Sequence, residues 1–170
     1  MNVIFLDLDG VINIFNDTEE DFLKRVKILS EICRRYNCKV VIESSYKDSI
    51  NEETLETDVE WIQELFEMFK EYGIEVIGRT PVIGKTINKG KEILAYLEKH
   101  PEIEHFCVID DDDLVRFKDL KIGDYSRSDL NEVREHLVTT VECGDNPKVT
   151  GLLEKHIEEV GRVLQKRYHV

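Results

Sequence analysis

Short apolar runs recur along the chain, at Val3-Ile4-Phe5-Leu6, Val40-Val41-Ile42 and Phe106-Cys107-Val108-Ile109, with amphipathic helical patterns between them. None of these runs alternates apolar with polar residues, so each suits a strand buried on both faces. Strands separated by helices predict a parallel sheet with helices on both sides, an α/β fold. Strands are expected at Val3 to Leu8, Cys38 to Glu43, Ile74 to Ile77, Phe106 to Ile109 and Leu137 to Val141.

The intervening patterns have recognisable ends. Thr18, with Asp21 three residues later, opens a helix carrying Phe22, Val26, Leu29 and Cys33 up to Asn37. A second helix from Asp58 places Ile62, Leu65, Phe66 and Phe69 on one stripe, with Trp61 and Met68 in the same apolar pattern, and closes at Gly73. A third runs from Asn88 to His100 and is stopped by Pro101, and helical patterns follow over Asp129 to His136 and about Thr150 to Arg167. At 170 residues and 41% apolar content, without repeats or linker tracts, residues 1–170 are expected to form one domain with its own core.

Composition narrows the functional classes. A net charge of -13 repels polyanions over most of the surface, so tight non-specific DNA binding is not expected. A local pocket can still accept one phosphorylated end, because charge is screened beyond about 8 to 10 Å. Cys33, Cys38, Cys107 and Cys143 lack CxxC spacing, which predicts reduced thiols and a cytoplasmic location. No apolar run approaches the ~20 residues of a membrane span. The five histidines are scattered without zinc-ligand spacing, and no Gly-x-Ser-x-Gly, P-loop or GxGxxG is present.

Chemistry concentrates at strand ends. Asp7 and Asp9 follow the first apolar run, Ser44 and Ser45 follow the second, and Asp110 to Asp113 follow the run ending at Ile109. In parallel strands all three groups lie at one edge of the sheet, where open α/β sheets bind ligands. Residues i and i+2 of an extended chain point the same way, so the first pair brings two like charges together, and Gly10 permits the sharp turn beyond them. A divalent cation relieves that repulsion, and carboxylate oxygens are the ligands Mg²⁺ prefers. Asp112 and Asp113 read as a solvated turn.

The stretch Asp7-Leu8-Asp9-Gly10-Val11-Ile12 resembles the first motif of the haloacid dehalogenase (HAD) superfamily of phosphohydrolases. The resemblance implies a three-layer Rossmann-like fold with a five-stranded parallel sheet of order 5-4-1-2-3. It implies Asp7 as nucleophile, forming an aspartyl-phosphate, and Asp9 as general acid and then base. Ser44 matches the second motif and would bond the phosphoryl oxygens. Lys89 matches the third, with Lys85 and Lys91 as rivals. Asp110 and Asp111 match the acidic fourth motif, which with Asp7 and the Asp9 carbonyl would ligate Mg²⁺. Ser45, Arg79 and Gly10 are the expected substrate contacts.

With Gly78-Arg79-Thr80-Pro81, Lys89-Gly90-Lys91-Glu92-Ile93, Asp110-Asp111-Asp112 and Val149-Thr150-Gly151-Leu152, the chain is similar to the small HAD domain found with Swiss Army Knife RNA repair proteins. Where those relatives carry Ser-Ser-Trp-Arg, this chain has Ser44-Ser45-Tyr46-Lys47. No large cap is expected, so the crevice would stay open to a nucleotide, a nucleic-acid end or a small metabolite, unless an oligomer neighbour covers it. The same resemblance leaves room for a phosphotransferase using the same aspartate and for a non-catalytic or regulatory binding domain.

Overall fold

The computed structural model describes residues 1–85, 88–112, 130–142 and 148–168. Its main sheet has five parallel strands, β1 (Asn2–Leu6), β2 (Cys38–Ile42), β3 (Val76–Arg79), β4 (His105–Asp110) and β5 (Leu137–Thr139). They lie in the order β3-β2-β1-β4-β5, the expected order read from the other edge. Helices α1 (Glu19–Tyr36), α2 (Glu60–Glu71), α3 (Lys89–Lys99) and α4 (Lys155–Leu164) cover it. A short antiparallel pair, β6 (Val141–Glu142) and β7 (Lys148–Val149), stands apart.

Alternation along each strand divides the core in two. Ile4, Leu6, Val40, Ile42, Cys107 and Ile109 face a cluster built with α1, α2 and α4. Val3, Phe5, Val41, Phe106 and Val108 face the opposite side, against Ile93, Tyr96 and Leu97 of α3. Both faces are therefore apolar, and the architecture is three layers. Trp61 and Met68 are half-buried against the first cluster.

The chain builds outward from β1 through β2 to β3, then returns to the other flank of β1 with β4 and β5. The order reverses between β1 and β4, and loops leaving those two strands must diverge there, which opens a crevice at their C-terminal ends. Among the described residues, no helix or strand is inserted between β1 and α1 or between β3 and α3. None of the described helices is long and apolar enough to cross a membrane.

Several element ends differ from the sequence expectation for local reasons. Thr18 does cap α1, its hydroxyl accepting from Asp21 N at 3.1 Å, and Asn37 ends the helix in the left-handed region. The third strand begins at Val76, because Ile74 N bonds Phe69 O and Gly73 N bonds Lys70 O, completing a helix-ending motif at φ +72°. Α2 begins at Glu60, after Thr57 accepts from Val59 N. The expected strand to Val141 divides, since Val141 pairs with Val149. Asn131–His136 forms a 3-10 turn. The last helix begins at Lys155, because Leu152 N is bonded to Val11 O and Leu153 N to the His156 ring. Asp113, Asp129, Cys143 and His169 lie outside the described residues.

Candidate active site

The sheet ladder extends one residue beyond its strands. Asp7 N bonds Ile109 O at 3.0 Å, Glu43 N bonds Leu6 O at 2.8 Å and Thr140 N bonds Asp110 O at 3.0 Å. Asp7 is in phase with Phe5, Glu43 with Val41, and Asp110 with Val108, so all three carboxyls turn to the α3 face. They converge below the first residue of α3, Lys89. Its Nζ is 2.7 Å from Asp110 Oδ2, 3.5 Å from Asp7 Oδ2 and 3.8 Å from Glu43 Oε2.

The helix start that delivers Lys89 is doubly capped. Asn88 Oδ1 accepts from Lys91 N at 3.0 Å, and Glu92 Oε1 accepts from Asn88 N at 2.9 Å. Lys85 and Lys91 are exposed, so Lys89 is the lysine of the three that meets the carboxylates.

One ammonium does not balance this many acids. Burial opposes the charge on Lys89, yet Glu43, Asp110 and Asp7 together hold its pKa well above the ordinary lysine value. Burial and then Asp110 push Asp7 up to about 8, against the pull of Lys89. Burial raises Glu43 well above the carboxylate range, and among the described residues neither of its oxygens accepts a hydrogen bond. Asp111 is raised in the same direction, by burial and then by Asp110.

Asp7, Asp110 and Asp111 bring carboxylate oxygens within 4.8 Å of one another. Gly10 makes this approach possible. A Cβ on it would stand 2.3 Å from Asp111 Oδ2, and its φ of +78° lies in the region glycine tolerates best. An all-oxygen, partly buried trio with excess negative charge could hold a divalent cation.

The turn after β1 is held rigidly. Leu8 O accepts from the amides of Val11, Ile12 and Asn13, Thr140 Oγ1 donates to Gly10 O at 2.7 Å, and Arg25 Nε donates to Ile12 O at 2.8 Å. Asp7 Oδ1 accepts from Leu8 N at 2.9 Å, leaving Oδ2 toward Lys89. Asp9 stands outside the trio. Its Oδ1 accepts from Asn13 Nδ2 at 3.0 Å, and its charge, with some burial and a hydrogen bond, raises the pKa of Tyr46 beside it.

Ser44 is buried at the end of β2 and caps a 3-10 turn (Ser45–Ser49), its hydroxyl accepting from Tyr46 N at 3.3 Å, while Ser45 is exposed. Arg79 is engaged elsewhere: Nε donates to Ile50 O at 2.7 Å and Nη1 to Thr80 O at 3.0 Å, tying the 44–58 loop to β3.

Two features of the site escaped the sequence reading. Glu43 looked like the last residue of a strand, although its phase with Val41 is the signal that it faces α3. Lys47 is 3% exposed and ion-paired with Glu92, with Thr80 Oγ1 at 3.0 Å and Pro81 O at 3.1 Å. Burial lowers its pKa to about 8, against the opposing pull of Glu43. This buried pair fastens the turn after β2 to the first turn of α3, which fixes Lys89 over the acids.

Comparison with protein families matches residues 3–144 to the family described as the HAD domain in Swiss Army Knife RNA repair proteins. No curated protein and no solved structure matches the chain.

Proposed function

The chain belongs to the family of HAD domains in Swiss Army Knife RNA repair proteins, and on that premise we propose that it is a Mg²⁺-dependent phosphatase acting on a phosphorylated nucleotide or nucleic-acid end. The observation carrying this reading is the convergence of Asp7, Asp110 and Asp111 under Lys89 at the β1/β4 crevice.

In this reading Asp7 attacks the phosphorus, forming a bond from a carboxylate oxygen as the ester P–O bond breaks. Asp9 gives its proton to the leaving oxygen. Asp9, now ionised, takes a proton from water as that water attacks the phosphorus of the aspartyl-phosphate, and the bond to Asp7 breaks to release phosphate. Lys89 holds the equatorial oxygens by charge, and the Ser44 hydroxyl by a hydrogen bond. Asp7, Asp110 and Asp111, with the Asp9 carbonyl, would hold Mg²⁺, which when bound offsets the negative charge shared by the acids and the phosphoryl group.

The rigid turn at Leu8 to Asn13 supports such chemistry, because it keeps Asp7 and Asp9 in place before substrate arrives. The charge of -13 favours a short or terminal substrate over an extended strand. Phosphate release from an aryl phosphate and from end-phosphorylated oligonucleotides, with and without EDTA, tests the proposal. Release that stops with EDTA and in Asp7→Asn supports it. Release that survives in Asp7→Asn overturns the nucleophile assignment, and no release from any substrate overturns the phosphatase reading.

A further inference from the structure

A cleft of about 290 Å³ adjoins Asp9, lined by Asn13, Phe22, Tyr46, Trp61, Glu64 and Met68 among its residues. Asn13 joins it to the acid, its Nδ2 donating to Asp9 Oδ1 at 3.0 Å, and Tyr46 lies near enough for the charge of Asp9 to raise its pKa. The rings of Tyr46 and Trp61 meet edge to face with centroids 5.0 Å apart, and both are only half-buried. Both rings also pack against the first core cluster, which holds the pair in place with part of its surface left to the cleft.

The geometry points to this cleft as the seat of the nucleobase of the substrate's terminal nucleotide, an inference that rests on the phosphatase reading. An acid that protonates the leaving oxygen has the esterified group on its own side, so whatever carries the phosphate emerges next to Asn13 and Tyr46. Every nucleobase has a π-face that an aromatic ring can stack on, whatever its sequence identity. The cleft's volume is at the lower end for small-ligand sites, which fits one base and not a run of them. Glu64 at its rim discourages further phosphates while offering an acceptor to a base amino group. The site would therefore select a single aromatic base attached through its sugar to the phosphate.

Trp61 is the one tryptophan of the chain, so its fluorescence reports on this cleft directly. In the Asp7→Asn protein with Mg²⁺, adenosine 5′-monophosphate or 3′-monophosphate should quench Trp61 saturably, whereas β-glycerophosphate should not. In the active protein, Trp61→Ala should lower the ratio of kcat/KM for the better adenosine monophosphate to that for β-glycerophosphate by about ten-fold, mainly through KM, and Trp61→Phe should restore most of it. Fluorescence unmoved by either nucleotide, or equal losses on both substrates, overturns the inference. Quenching without any phosphate release keeps the base cleft and overturns the phosphatase reading, so the two failures are distinguishable.

Discussion

Gly10 and Asp111 are in mutual van der Waals exclusion: a methyl group on Gly10 would occupy space 2.3 Å from Asp111 Oδ2 and 2.6 Å from its Cγ. The first acidic motif is therefore shaped to receive the second, and the missing side chain at position 10 is a requirement of the acid trio as well as of the turn.

Gly10→Ala should act on both. A non-glycine residue at φ +78° costs about 1–2 kcal/mol from the backbone alone. The added methyl also forces the Asp111 carboxyl away from Asp7 and Asp110. Urea denaturation should show the stability loss, and isothermal titration should show weaker Mg²⁺ binding. Unchanged cation affinity would mean that Asp111 is not needed for the ion.

Divalent cation should stabilise the fold, because the buried acids at the β1/β4 crevice are assembled by the native sheet. A ligand at one hundred times its Kd adds about 2.7 kcal/mol when only the native state binds it. The denaturation midpoint should therefore rise with Mg²⁺ and fall back with EDTA. Asp111→Asn, which leaves Asp7 and Asp110 in place, should shrink that rise. A midpoint indifferent to Mg²⁺ in the parent protein would remove the metal from the proposal.

Lys89→Met should destabilise the protein by about 3 kcal/mol, since removing one partner of a buried ionic cluster leaves its acids uncompensated. Adding Glu43→Gln should return part of that loss, because an amide in Glu43's place carries no charge to be stranded. The double-mutant cycle measures the coupling. Strict additivity would show that Glu43 and Lys89 do not interact energetically, despite their 3.8 Å separation.

The sheet and the acid trio were legible for the same reason. Unbroken apolar runs at Val3 to Leu6 and Phe106 to Ile109 mark strands buried on both faces, and Asp7 and Asp110 are the first groups beyond them. Pairing partners cannot be read from one strand's letters, so the meeting of Glu43 with Lys89 had to come from the packing of α3. Arg79 illustrates the converse. It was expected to contact substrate, and in the fold Ile50 O and Thr80 O occupy two of its donors. Boundaries such as Ile74 and Thr150 failed where a hydrogen bond to a neighbouring element outweighed local periodicity.

His156 contributes stability that depends on its ring staying neutral. Its ring is 1% exposed and accepts Leu153 N at Nδ1 over 2.8 Å, an arrangement that needs a neutral ring with its proton on Nε2. Burial lowers its pKa from the ordinary histidine value. At this ring the unfolded chain then binds a proton at a pH where the folded chain does not, so the stability His156 contributes is full above about 6.5 and is lost as pH falls below it. His136, also lowered by burial, adds to the same slope. His156→Gln should be less stable at neutral pH by about 1–2 kcal/mol, having lost the buried ring that accepts the Leu153 amide. It should also lose less stability than the parent between about pH 7 and about pH 5.5, because the titrating group is gone. Urea midpoints for the two proteins at matched pH, taken as a difference, cancel the carboxylates that titrate in both. A difference that stays constant across that range would show that His156 keeps an ordinary pKa in the folded state.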